Sequence, residues 1–257
     1  MRLYTHSSGL TETTAEPVVL IHGLFGSYEN LGVIARSLSE QYHIINVDVR
    51  NHGRSGHSEQ MNYNLMADDL AQTLDALNVS KAALLGHSMG GKLAMTFALL
   101  YPQRVTKLIA ADVAPVAYPP RHNSIFSGLF AVDIANLSSR AQADEQMSAF
   151  VKEAGVRQFL LKSLIKEDDK FYWRFNLNAL KANYSALTDA PMTTGQYEGP
   201  VLFIKGGESD YILPEHKEVI NRLFPNAQAK IIQGTGHWLH AEKPAAFTRL
   251  VQEFLLR

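Results

Sequence analysis

The 257-residue chain contains no cysteine. That removes disulfides, thiolate nucleophiles and zinc–sulfur sites together, and it fits a reducing compartment. Charge of one sign is missing too: 24 Lys and Arg stand against 25 Asp and Glu, for a net charge of −1. Without a basic surplus there is no electrostatic footprint for nucleic acid or an anionic membrane. No apolar run approaches the roughly 20 residues that a membrane-spanning helix needs. The N-terminal stretch "MRLYTHSSGL" lacks the apolar core of a secretory signal. Repeats and low-complexity segments are also absent. A soluble, cytoplasmic protein is expected. What is present is ordinary for a globular chain, 46% hydrophobic and 19% charged, and long enough to bury a full core.

Six short apolar runs recur along the chain: "PVVLIHG" from Pro17, "HIINVDVR" from His43, "KAALLGHS" from Lys81, "VTKLIAADVAP" from Val105, "PVLFIKGG" from Pro200 and "AKIIQGTGH" from Ala229. Continuous rather than alternating apolar residues predict strands buried on both faces. Helical patterns lie between most of them, at Tyr63 to Leu77, Met89 to Tyr101 and Lys243 to Arg257. Such alternation implies an α/β fold, a mostly parallel central sheet with right-handed crossovers and helices on both faces. From Val116 to Glu198, between the fourth and fifth of these strands, no convincing buried strand appears. "YPPRHN" opens the interval and "TTGQYEGP" closes it. A stretch of this length is better read as a helical insertion than as a loop. The expected division is a core of residues 1–115 and 199–257 with a helical cap at 116–198.

One motif carries chemistry. Gly86-His87-Ser88-Met89-Gly90 matches G-x-S-x-G where a strand runs into a helix. A tight turn there lifts the serine hydroxyl above the sheet, and the glycines on either side allow close backbone approach. The helix N-terminus behind Ser88 offers N–H groups to a developing anion.

Together with "VLIHGLFGS", "VDVRNHGRS", "ADVAPV", "FIKGG" and "GHWLHAEKP", this motif makes nearly the whole chain resemble an α/β-hydrolase, in particular the small bacterial acyl-esterases of the YbfF type. The resemblance implies a serine hydrolase with no cofactor. A serine needs a base within hydrogen-bond reach. His237, in the loop after the last strand, stands where the family keeps its catalytic histidine. Of the ten histidines, His22 and His87 are read as shaping the site, His52 as a loop residue and His240 as lying toward the following helix. No H-x-x-x-H pair on one helix suggests a metal. The oxyanion requires two donors. The residue after the nucleophile, Met89, supplies one N–H, and by resemblance Leu24 supplies the other.

The acid has two answers. Asp210 follows the fifth strand at the superfamily's usual G-x-x-D place, and Asp112 follows the fourth, where a minority of the superfamily puts it. The chain-order template places Asp210 first, Asp112 second. Close relatives can lack an acid at the first place, in which case Ser209 becomes the histidine's partner. Phe25 and Trp238 beside these elements, with the aromatic residues of the insertion, predict an apolar acyl side to the pocket.

The expected activity is hydrolysis of small-molecule carboxylic esters, with acyl-CoA thioesters as a second substrate class, by a monomer or homodimer. A lyase or C–C hydrolase on the same scaffold, such as the menaquinone-pathway synthase with its similar "HGFLG"-like loop, is the enzymatic alternative. A non-catalytic ligand receptor is the binding alternative. Haloalkane dehalogenases and epoxide hydrolases use Asp where this chain has Ser88.

Overall fold

A computed structural model describes residues 1–10, 16–191 and 195–257. In chain order the core elements begin with β1 (Thr5–Gly9), β2 (Pro17–Ile21), α1 (Gly32–Leu38), β3 (His43–Val47), α2 (Tyr63–Ala76), β4 (Ala82–His87), α3 (Met89–Leu100) and β5 (Val105–Ala111). Next come α4 (Asn123–Ala131), α5 (Arg140–Ser148), α6 (Ala154–Leu161), β6 (Leu164–Glu167), β7 (Lys170–Trp173), α7 (Leu177–Ala182) and α8 (Tyr184–Thr188). The chain closes with β8 (Val201–Gly206), α9 (Lys217–Leu223), β9 (Ala227–Ile232), α10 (Leu239–Glu242) and α11 (Pro244–Leu255).

The strands form a seven-stranded sheet in the order β1-β3-β2-β4-β5-β8-β9. All neighbours are parallel except β1, which runs antiparallel to β3 with Thr5 opposite Val47. The six apolar runs are therefore β2, β3, β4, β5, β8 and β9. Their continuity has a direct cause. Val19, Ile21, Leu84, Leu108 and Phe203 face one apolar cluster, which also holds Leu70, Leu93 and Phe97 of α2 and α3. Val18, Leu20, Leu85, Ile109 and Ile204 face the other, with Ile34 and Leu38 of α1 and Phe247 and Val251 of α11. On the five interior strands side chains alternate and both faces are covered, so both sets must be apolar, whereas β9 is an edge strand whose residues 228–231 are exposed, contrary to the buried strand expected there.

Three strands, β1, β6 and β7, escape the sequence reading. β1 is "THSSG", an edge strand in which Thr5 and Ser8 are half-buried and the other three residues exposed, with no apolar run to betray it. Residues 11–15 lie outside the described residues, as does part of "TTGQYEGP". Within 116–198, where no buried strand was expected, β6 and β7 make a small hairpin with Glu167 opposite Lys170. The turn residues Asp168 and Asp169 have φ of 47° and 60°. Positive φ at both central positions is the turn that matches strand twist. The hairpin is short and only partly buried, which is why its apolar signal is weak. The rest of the described interval is mainly helical, and Phe126, Leu129, Met147 and Leu160 join the same apolar cluster as the sheet face beneath them. Among the described residues, no helix is long and apolar enough to cross a membrane.

The loops that follow β2, β4, β5, β8 and β9 all emerge at the carboxyl ends of parallel strands, the edge at which open α/β sheets bind ligands. That edge collects the residues singled out from sequence.

Candidate active site

Ser88 sits between β4 and α3 with φ 55° and ψ −119°, a conformation that side-chain-bearing residues rarely hold. Its N–H donates to the Ala111 carbonyl at 3.0 Å, and its carbonyl accepts the Lys92 N–H at 3.1 Å. The glycines permit the turn by leaving out carbon. A Cβ on Gly86 would lie 2.1 Å from the Gly90 carbonyl oxygen, and one on Gly90 would lie 2.3 Å from that of Ile21. Both obstacles are backbone and cannot swing aside. Gly86→Ala is expected to cost at least about 3 kcal/mol of stability, read as a lower urea midpoint with unchanged slope. A midpoint within error of the wild type would show that the turn has room to relax.

His237 projects from the loop between β9 and α10. Its Nε2 lies 2.9 Å from Ser88 Oγ, and its Nδ1 lies 2.8 Å from Asp112 Oδ2. With Nδ1–H donating to the carboxylate, Nε2 is left to accept the serine proton. The histidine is held from three other sides. His87 donates its Nε2–H to the His237 carbonyl at 2.8 Å. The Gly236 N–H donates to Glu242 at 2.9 Å. The Tyr211 ring stacks on the imidazole with centroids 3.9 Å apart and planes 17° from parallel.

The carboxylate facing His237 is Asp112, which the sequence placed second, and not Asp210, which it placed first. Asp112 is fully buried at the end of β5 with φ 50°. Its N–H donates to the Ile204 carbonyl at 2.8 Å, and Oδ1 accepts the Gly206 N–H at 2.9 Å. Ser209 donates its hydroxyl to Oδ2, so it contacts the carboxylate and not the histidine. Asp210 points outward: its side chain is 66% exposed and ion-paired with Arg121. That guanidinium holds the Asp210 carboxyl below its ordinary range. The turn after β8 thus brings a hydroxyl inward at 209 and sends the acid at 210 to solvent. Arg121 in turn lies 4.6 Å over the Tyr211 ring.

The loop after β2 is set by two histidines that donate from one nitrogen and accept at the other. His22 donates Nδ1–H to the Gly23 carbonyl at 2.8 Å and accepts the Val49 N–H at 3.1 Å. His52 donates Nδ1–H to the Arg50 carbonyl at 3.0 Å and accepts the Phe25 N–H at 3.1 Å. Phe25 itself has φ 63°. With the Phe25 N–H so engaged, the Leu24 N–H has no acceptor among the described residues, and neither does that of Met89. Leu24, Met89 and Ser88 border one cavity together.

Burial keeps this histidine-rich region neutral. It lowers the pKa of His52 to about 3, those of His122 and His240 to about 4, and those of His22 and His87 below the usual value. In the unfolded chain each takes up a proton near pH 6.5, while the folded chain does not until far lower pH. Stability is therefore present above about pH 6.5 and is lost as pH falls toward the folded values. Between pH 7.5 and 5.5 the loss is about 1.4 kcal/mol for each of His52, His122 and His240, about 4 kcal/mol together. Urea midpoints at the two pH values measure it. An equal or higher midpoint at pH 5.5 would mean these rings are charged in the fold.

Two cavities meet at Ser88. The larger, about 220 Å³, is bordered by His237, Trp238, Phe159, Val156, Ile125 and Phe25. The smaller, about 40 Å³, is bordered by Leu24 and Met89 and reaches Lys92. Of the aromatic residues of the described 116–198 segment, Phe159 borders the larger cavity and Tyr118 and Tyr184 the smaller, while Phe126, Phe171 and Phe175 are buried and Phe130 is half exposed. Lys92 is 1% exposed and donates to the Thr188 and Asp189 carbonyls at 2.9 and 2.5 Å. Burial pushes its pKa down to about 7. Sequence reading passed over Lys92, although one charge in the apolar helix "MGGKLAMTFALL" was a signal. Tyr211 left no signal at all, because a lone loop tyrosine has no periodicity. Among the described residues, no group of three or more His, Asp or Glu is placed to hold a metal ion.

Residues 16–244 match a family described as the alpha/beta hydrolase fold. The chain is 44% identical to esterase YbfF of Escherichia coli over 240 residues, covering 93% of this chain and 92% of that one. It is 39% identical to the sn-1-specific diacylglycerol lipase ABHD11 of Mus musculus, covering 95% and 82%. A solved structure described as a marine microorganism esterase superposes with a TM-score of 0.94 at 34% identity, covering 98% of this chain and 99% of the other. With the strand order, the serine turn and these relatives in agreement, the chain belongs to the α/β-hydrolase family.

Proposed function

We propose that this chain is a serine carboxylesterase that works through an acyl-enzyme at Ser88. The observation that carries the reading is the continuous line of hydrogen-bond distances from Ser88 Oγ to His237 Nε2 and from His237 Nδ1 to Asp112. His237 Nε2 takes the serine proton as Oγ attacks the ester carbonyl carbon. Charge moves to the carbonyl oxygen, which meets the free N–H groups of Leu24 and Met89. The tetrahedral centre collapses, the ester C–O bond breaks, and His237 returns the proton to the leaving alcohol. Water then enters, loses a proton to the same Nε2 and attacks the acyl carbon; the second tetrahedral centre collapses, the C–Oγ bond breaks, and His237 returns the proton to Ser88 Oγ as the acid leaves. Asp112 carries negative charge beside the imidazolium that forms twice in this cycle. Thioesters place a sulfur in the leaving position and fit the same sequence of steps. The described part of the 116–198 segment acts as the roof, with Ile125, Val156 and Phe159 over the larger cavity. The names of the relatives support an esterase.

An acyl-enzyme makes the first turnover distinct from the rest. Rapid mixing with a p-nitrophenyl ester whose deacylation is slow is expected to give a burst of about one p-nitrophenol per chain before the steady rate. Steady hydrolysis with no burst for any ester whose deacylation is limiting would contradict a covalent route.

A further inference from the structure

The two cavities at Ser88 are not equivalent. His237, Trp238 and His240 border the larger one and not the smaller. In the route above, His237 Nε2 must reach the leaving oxygen to protonate it. The leaving group therefore occupies the larger cavity, beside the histidine. The oxyanion is directed to the Leu24 and Met89 N–H groups. One substituent of the tetrahedral carbon remains, the acyl chain, and we assign it to the smaller cavity, which Ser88, Leu24 and Met89 all border. At about 40 Å³ it has room for about three water-sized groups.

The wall of this small space carries Lys92. The residue lies four positions after Ser88 on α3, hence on the same helix face and about 6 Å further along the axis. Its ammonium has three N–H donors. Two go to the Thr188 and Asp189 carbonyls, and among the described residues the third has no acceptor. The ammonium lies 4.7 Å from the centre of the Tyr118 ring, which also borders the cavity. The other polar groups there are already engaged. Tyr63 donates to the Leu187 carbonyl and Tyr118 to that of Tyr211. Tyr184 accepts the Arg121 and His122 N–H groups. No aspartate or glutamate lines the cavity, while Arg121 does. The Asp189 carboxylate accepts the neighbouring Ala190 N–H and is exposed. With a spare donor and no carboxylate in its cavity, a lysine this deeply buried stays charged at a cost that a bound carboxylate offsets, and otherwise gives up its proton more readily, with only the exposed Asp189 charge opposing that.

Resting on the esterase reading, we propose that the smaller cavity binds the acyl half of the substrate and that Lys92 pairs with a carboxylate at the end of it. The preferred substrates are then half-esters of a dicarboxylic acid of about four carbons, with a larger apolar alcohol in the cavity beneath Trp238. This reverses the sequence expectation of an apolar acyl side: the apolar walls belong to the leaving group.

Three benzyl esters test the assignment with one leaving group: monobenzyl succinate, benzyl 4-methylpentanoate, in which an isopropyl group replaces the carboxylate at similar size, and benzyl acetate. Benzyl alcohol release is followed by chromatography. In the wild type, kcat/KM for the succinate ester is expected to exceed that for the 4-methylpentanoate by at least about tenfold. Lys92→Met is expected to bring that ratio down by about tenfold or more. A wild type that prefers the neutral ester overturns the proposal without any variant. So does a Lys92→Met enzyme that loses activity equally on both, since a lysine that only ties α3 to residues 188–189 would act on every substrate alike. Hydrolysis of benzyl acetate with neither longer ester accepted sinks this inference and leaves the esterase reading standing. Failure on all three esters, with no labelling of Ser88 by a fluorophosphonate, sinks both.

Discussion

Ser88→Ala is expected to lower kcat by about 10⁴ to 10⁶ with the fold and substrate binding retained. The size follows from what one oxygen atom does in the proposed route. Without Oγ there is no atom to bond to the acyl carbon, and His237 Nε2 loses the partner that now lies 2.9 Å away. Residual hydrolysis comes from water reaching a carbonyl still polarised by the Leu24 and Met89 N–H groups, so the rate does not fall to that of free solution. Alanine keeps the Cβ that already occupies the turn, and it tolerates φ 55° no worse than serine does. Circular dichroism and thermal melting are therefore expected to match the wild type. A loss of less than about tenfold at equal folded fraction would place the nucleophile elsewhere.

The second large effect separates the two aspartates. Asp112→Asn is expected to lower kcat by about 10⁴, and Asp210→Asn by less than about tenfold. Asparagine keeps the shape at 112 but removes the negative charge from a fully buried position beside the imidazole. It also leaves an amide that can donate toward Nδ1, which favours the tautomer whose Nε2 cannot accept the serine proton. The Gly206 N–H, the Ser209 hydroxyl and the His237 ring all lose a charged acceptor together. At 210 the same change only weakens an ion pair with Arg121 whose carboxylate is 66% exposed, and exposed pairs contribute about 1 kcal/mol or less. Both variants need kcat measured at equal folded fraction. A severe Asp210→Asn with a mild Asp112→Asn would return the acid to the position expected from sequence.

That reversal shows where the sequence stops being legible. The sheet is readable because burial on both faces forces unbroken apolar runs, and the five interior strands announce themselves in this way, while β9 is an exposed edge strand. β1 is an edge strand of polar residues, so no such force marks it. Ser88 and His237 were readable because the turn demands glycine at 86 and 90, and because His237 follows a strand end in a stretch that matches the family. The choice between Asp112 and Asp210 depends on which way one residue points from a turn. Both follow a core strand, and neither spacing nor composition records that β8's turn sends 210 outward to Arg121. Tyr211 on the imidazole face and the engaged ring nitrogens of His22 and His52 arise from contacts between distant segments, which leave no local pattern. Lys92 was the exception, a visible anomaly in an apolar helix that periodicity alone could not connect with a cavity.

The most direct measurement of the central claim is covalent labelling with a fluorophosphonate followed by peptide mass analysis. The account predicts one adduct per chain, on the peptide and residue that hold Ser88, with hydrolysis of esters lost in proportion to labelling and with no adduct in Ser88→Ala. An adduct that persists in Ser88→Ala, or ester hydrolysis that continues undiminished in fully labelled protein, would contradict it.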